Sequence, residues 1–202
     1  MSEFQAYLQL GFSHITDPNG YDHILFVIAL CAIYAFKEWK KVLVLVTAFT
    51  LGHSVTLALA TLKMITYSSA FIELLIPITI FITAVSNFSE KSTGEPKSPK
   101  LRYVLAACFG LIHGMGFSNY LRSLLGDQDS IVMPLFAFNV GLELGQLVIV
   151  AIALAIASLF VDVIRVKRLT WNHLISGIVA GMALSLILGN EVFRTFIGLS
   201  VE

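Results

Sequence analysis

The sequence predicts an all-α membrane protein: a polytopic bundle of six transmembrane helices with an added N-terminal interfacial helix. Three observations lead there. First, 57% of the 202 residues are hydrophobic and only 13% are charged, with a mean hydropathy of +0.84. Soluble domains carry about 25% charged residues, so too few charges remain here to coat a globule, and lipid is the natural solvent for the excess apolar surface. Second, the apolar residues gather into six runs near the length that spans a bilayer. Third, the basic residues alternate between the loops. Net charge is zero, which argues against a nucleic-acid partner. Cys31 and Cys108 both fall inside apolar runs and read as small packing residues.

The first element is the segment 1–20. It carries no Lys or Arg and no sustained apolar stretch before His14, so it does not read as a signal peptide. Phe4, Tyr7, Leu8 and Gly11 share one helical face, which predicts a helix lying along the membrane interface. Asp17-Pro18-Asn19-Gly20 ends it with a strong turn signal. Six spans follow at 21–36, 41–62, 67–88, 102–121, 131–160 and 172–193. The polar stretch 89–100 reads as a cytoplasmic linker between two groups of three spans, all within a single integral membrane domain over 1–202.

Charge placement orients the bundle. Lys37, Lys40 and Lys41 follow the first span, Lys91, Lys97, Lys100 and Arg102 follow the third, and Arg165, Lys167 and Arg168 follow the fifth. Only Lys63, Arg122 and Arg194 fall on the other side. The positive-inside rule makes the first set cytoplasmic, so both termini face outward. His173 sits beside Trp171 and reads as part of an interfacial anchor.

The chemistry lies in ionisable groups inside apolar spans, which are costly there and usually face a bundle interior or a wet cavity. They are Asp22 and His23 in the first span, His53 in the second, Glu73 in the third, His113 in the fourth and Glu143 in the fifth. Counted from the outer end of each span at about 1.5 Å per residue, all lie in the outer half or near the midplane. That agreement predicts one shared site. Asn139, Glu143 and Gln146 form a single stripe, and Thr47, Thr50 and Ser54 form another with His53 on its flank. Three glycines around His113 predict close backbone approach, and Gly141 with Gly145 forms a small-residue pair for helix packing. Pro77, four residues after Glu73, frees a backbone carbonyl one turn back.

Neutral imidazoles with carboxylates suit a borderline divalent cation such as zinc, nickel or cobalt. The expected ligands are Asp22, His23, His53, His113, Glu143 and Glu73, with His14 at the entry. Asn139, Gln146 and Thr50 stand behind them, orienting ligands. The leading expectation is a transporter or binding protein for such an ion, with zinc or nickel foremost. A second is a zinc-dependent hydrolase acting on a lipid or a membrane peptide, with Glu143 or Glu73 as general base and Ser54 assisting. A third is an accessory protein whose buried polar groups only set helix register.

Four blocks resemble one family. They are His14 followed by Gly20-Tyr21-Asp22-His23-Ile24-Leu25-Phe26, then Thr47-Ala48-Phe49-Thr50-Leu51-Gly52-His53-Ser54, then Phe109 to Phe117 around His113-Gly114, then Phe138 to Gln146 around Glu143. In this order they are similar to the HupE/UreJ family of bacterial membrane proteins, in its broader second branch. The resemblance runs from about His14 to Gln146. It implies a six- or seven-helix membrane protein, and a nickel-type ion as cargo, since some members are regarded as nickel permeases. Asp22-His23 matches the Asp-His part of the nickel permeases' early motif, and His113-Gly114 matches their His-Gly. No second histidine or nearby glutamate follows His113-Gly114.

Overall fold

A computed structural model describes residues 2–90, 98–125 and 130–198 of the chain. Every regular element among them is helical. Most of the expected 89–100 linker, including Lys91 and Lys97, lies outside the described residues.

The first helix, α1 (Glu3–Thr16), starts at a capping box. Ser2 Oγ accepts from the Gln5 amide, and Gln5 Oε1 accepts from the Ser2 amide. It stops where the Asp17 carboxylate accepts from the Asn19 amide, 2.8 Å away, just past Pro18. This helix does not lie along an interface with one face free, as the sequence led us to expect. Tyr7, Gly11 and Ile15 are buried against α6 (Val132–Ser158). Glycine makes that docking close. A Cβ at Gly11 would meet the Phe138 carbonyl, and one at Gly141 would meet the Leu8 carbonyl.

The next element corrects the first predicted span. In place of a helix over 21–36, α2 (Asp22–Cys31) has ten residues. At 1.5 Å per residue it is about 15 Å long, roughly half the hydrocarbon core. Residues 32–35 and a 3₁₀ turn (Phe36–Glu38) then lead into α3 (Trp39–Thr61). Both α1 and α2 follow α6 in the same sense. Leu8 lies at Gly141 and Ile15 at Gly145. Further along, Ile24 and Ile28 share a groove with Val148 to Ile156, and Cys31 and Ala32 share one with Ala153 and Ala157.

Four long helices complete the bundle: α4 (Ser69–Ser86), α5 (Pro99–Leu125), α6 and α7 (Arg168–Gly189), with a short α8 (Glu191–Phe196) at the end. Among the described residues five helices are long and apolar enough to cross a membrane, namely α3 to α7 with their 3₁₀ and π extensions, so the chain is a multi-pass membrane protein. Helices α3 and α5 pack just as closely as α1 and α6. A Cβ at Gly110 would strike the Phe49 carbonyl, and one at Gly114 the His53 carbonyl. Substituting either glycine therefore pushes the helices apart, and with them His53 and His113.

One end of the bundle is tied by a polar network. Asn87, at the end of α4, is fully buried. Its Nδ2 donates to the Ala29 carbonyl (2.8 Å) and to Ser176 Oγ (3.1 Å), while its Oδ1 accepts from Arg102 at 3.0 and 3.1 Å. Asn172 Nδ2 donates to the Asn87 carbonyl at 2.8 Å. Arg102 also pairs with Glu90 at 2.9 Å, and Arg168 pairs with Glu38 and donates to the Ile33 carbonyl. These bonds gather the basic loops after α2, before α5 and before α7 at a single end.

Candidate metal centre

The break between α1 and α2 brings His14 and His23 together. His14 is near the end of α1, His23 is the second residue of α2, and their ring centroids are 4.8 Å apart. From α3, His53 comes within 6.1 Å of His23 and 6.3 Å of His14, centroid to centroid. One nitrogen from each of the three rings lies within 4.8 Å of the other two. Tetrahedral zinc with bonds near 2.0–2.1 Å would hold its nitrogens roughly 3.4 Å apart, so modest ring rotation completes the site.

The nitrogens are available. Burial leaves His23 4%, His53 0% and His113 1% exposed. Yet His14 Nε2, His23 Nε2 and both nitrogens of His53 are buried without a hydrogen-bond partner. Buried polar atoms are paired in the great majority of cases, so several orphans at one point mark a place built for something else. Asp22 explains part of the arrangement. Its Oδ1 is 2.9 Å from His23 Nδ1 and accepts that ring N–H. Its second bond, from the His23 amide at 2.8 Å, fixes the carboxylate in turn. A neutral imidazole with its proton on Nδ1 presents a lone pair at Nε2, the usual carboxylate–histidine arrangement at metal sites. Asp22 thus supports His23 from behind.

Phenylalanines wall the cluster. Phe117 lies 4.0 Å from His14, Phe138 stacks on Phe117 at 5.0 Å, and Phe49 stands 5.1 Å from His113, all between ring centroids. An apolar shell of this kind controls solvent access and lowers the local dielectric. Two clefts reach the cluster's edges. One, of about 400 Å³, is lined by Asp22, Glu73, Pro77 and Asn190. The other, of about 610 Å³, is lined by His14, Asp17, Phe117 and Tyr120. Both lie at the end of the bundle opposite the basic loops.

The expected single site is divided. His14, His23 and His53 converge, with Asp22 bonded to His23 and His113 adjoining at 5.0 Å from the His23 ring. Glu143 belongs to a different contact: Thr47 Oγ1 donates to its Oε1 at 2.6 Å. Gln146 Oε1 accepts from Thr50 Oγ1 at 2.7 Å. Asn139 donates to the Leu135 carbonyl in its own helix. Ser54 turns back to donate to the Thr50 carbonyl at 2.7 Å. Glu73 is exposed on the wall of the smaller cleft. Of the expected stripe on α6, Glu143 and Gln146 bond to α3 as helix-to-helix ties, while Asn139 bonds within its own helix. Thr79, whose hydroxyl meets His113, was not singled out from the sequence. A threonine inside an apolar helix carries no signal until its neighbour across the interface is known.

The sequence model of the family described as HupE / UreJ protein matches residues 1–190. No curated protein and no solved structure matches the chain.

Proposed function

The chain belongs to the HupE/UreJ family, and from that premise we propose that it moves a divalent transition-metal ion, of the zinc, nickel or cobalt type, through an intramembrane site of His14, His23 and His53. One observation carries this reading: three imidazoles from three helices point partnerless nitrogens into a common space. Imidazole donors without thiolate select borderline divalent ions. The family's link to nickel-type transport agrees.

In this reading α1 and α2 together make the sixth crossing, broken at residues 17–21. Discontinuous helices of this kind build ion sites in many transporters, because the break frees backbone and side chains for the cargo. The basic loops face the cytoplasm of a bacterial inner membrane. Ions then enter from outside by the clefts at Asp22 and His14, and Asp22 and Glu73 raise the local cation concentration. Of the two general bases that the hydrolytic alternative offers, Glu143 is engaged with Thr47 and Glu73 is exposed on the cleft wall, so the geometry favours neither over ion passage. Asn139, Thr50 and Gln146 serve as packing ties, and the domain remains a single bundle.

Vesicles reconstituted with the purified chain test the proposal. Zinc or nickel influx should exceed that of protein-free vesicles and vanish in His23→Ala. Influx should also fall as pH drops, because a protonated imidazole cannot ligate. Wild-type influx equal to the empty-vesicle leak, for each of zinc, nickel and cobalt, would overturn it.

A further inference from the structure

His113 stands beside the triad and outside it. Its Nε2 is 3.1 Å from Thr79 Oγ1 on α4. The same hydroxyl is 2.7 Å from the Ile76 carbonyl. A hydroxyl has one proton and a carbonyl can only accept. The proton therefore goes to Ile76, by the shorter contact, and the Thr79 oxygen accepts from His113 Nε2–H. Neutral imidazole carries a single N–H, so His113 Nδ1 keeps its lone pair. That atom is buried without a partner. The His113 ring is flanked by Phe26 and Phe49, at 5.5 and 5.1 Å between ring centroids, and by the His23 ring at 5.0 Å. Water has little reason to enter such a wall, yet a lone pair is held ready in it.

We propose that His113 forms a second ion position next to the triad, shared with His23, and that Thr79 is the positioning residue that fixes the tautomer it needs. The proposal rests on the triad being an ion site. The ion passes by ligand exchange: a bond to His14 or His53 breaks as a bond to His113 Nδ1 forms, while His23 stays attached. No proton moves and no redox change occurs.

The test uses the full chain with Thr79→Val, which keeps shape and removes the hydroxyl, and Thr79→Ser, which keeps the hydroxyl. ¹⁵N-histidine NMR, assigned with His113→Gln, should show wild-type His113 protonated at Nε2, and Thr79→Val should lose that preference. Zinc titration should find triad affinity unchanged in Thr79→Val. Zinc influx into vesicles should drop by about tenfold or more, the scale of losing a partner behind a ligand, and Thr79→Ser should restore it. Wild-type influx in Thr79→Val overturns the proposal. So does an Nδ1–H tautomer in the wild type, a loss of triad affinity that matches the loss of influx, or a serine variant as slow as the valine. Failure of the triad itself looks different, because the wild-type chain would then bind no zinc in the titration.

Discussion

Two sets of buried polar groups sit at opposite ends of this bundle, and they differ in one respect. Asn87 and His53 are both fully buried. Asn87 has its amide and carbonyl oxygens engaged by Arg102 and Asn172, and its N–H₂ group engaged by Ala29 and Ser176. His53 has neither ring nitrogen engaged. Burying a polar group without a partner costs about 1–3 kcal/mol by protein measurements. The Asn87 network avoids that cost and ties four helices together. The histidine cluster carries it at several atoms, a cost that a bound ion would relieve. Isolated orphan atoms occur elsewhere, at Asn139 and Gln146 for example; the cluster differs in gathering orphan nitrogens from three helices at one point.

Substitutions at the two ends should part accordingly. The largest expected effect is at the cluster. His23→Ala removes one of three ligands and should weaken zinc or nickel binding by at least about 100-fold, beyond the cost of losing an outer partner, while the unfolding transition of the ion-free protein stays put or rises. Isothermal titration together with thermal unfolding in detergent reads both. Asn87→Ala should do the reverse. It leaves the Arg102 head and the Ala29 carbonyl short of a partner and should cost roughly 1–3 kcal/mol of stability, with ion affinity unchanged. If Asn87→Ala instead abolished ion binding with little loss of stability, the contrast between the ends would collapse.

Asp22→Asn sharpens the comparison within the cluster. The neutral amide can no longer draw the proton to His23 Nδ1 as a carboxylate does, and affinity should drop by about 10- to 100-fold, read by the same titration. The smallest effect belongs to Glu143. Glu143→Gln keeps an acceptor for Thr47, and interhelical hydrogen bonds in membranes average only about 0.6 kcal/mol. Ion affinity should stay at the wild-type value. A large loss in that variant would return Glu143 to the ion site and argue for the single site expected from depth alone.

Much of the site was legible in the sequence for a simple reason. Depth along a helix follows from residue number, so His23, His53 and His113 could all be set in the outer half or near the midplane before any fold was known. Gly110, Gly114, Gly141 and Gly145 announced close helix contacts, and α3 with α5 and α1 with α6 make them. What sequence could not supply is the direction each helix turns its polar stripe. Glu143 shares the depth of the histidines, yet it bonds to Thr47 because α6 presents Phe138, and not that stripe, to the cluster. His14 was assigned to the entry because the Asp17–Gly20 turn reads as a surface loop. The turn separates two helices that continue along α6 in the same sense, which sets His14 beside His23 and His53 while it still lines the larger cleft. A ten-residue α2 was hidden by apolar residues that run on past Cys31 to Phe36. Composition cannot distinguish a full span from half of a broken one.

X-ray absorption on the zinc- or nickel-loaded chain tests the central claim most directly. The account predicts a shell of three or more imidazole nitrogens, with zinc–nitrogen distances near 2.0–2.1 Å, reduced by one nitrogen in His14→Ala and unchanged in Glu143→Gln. A first shell of carboxylate oxygens that loses a member in Glu143→Gln, or no ion held at all, would contradict it.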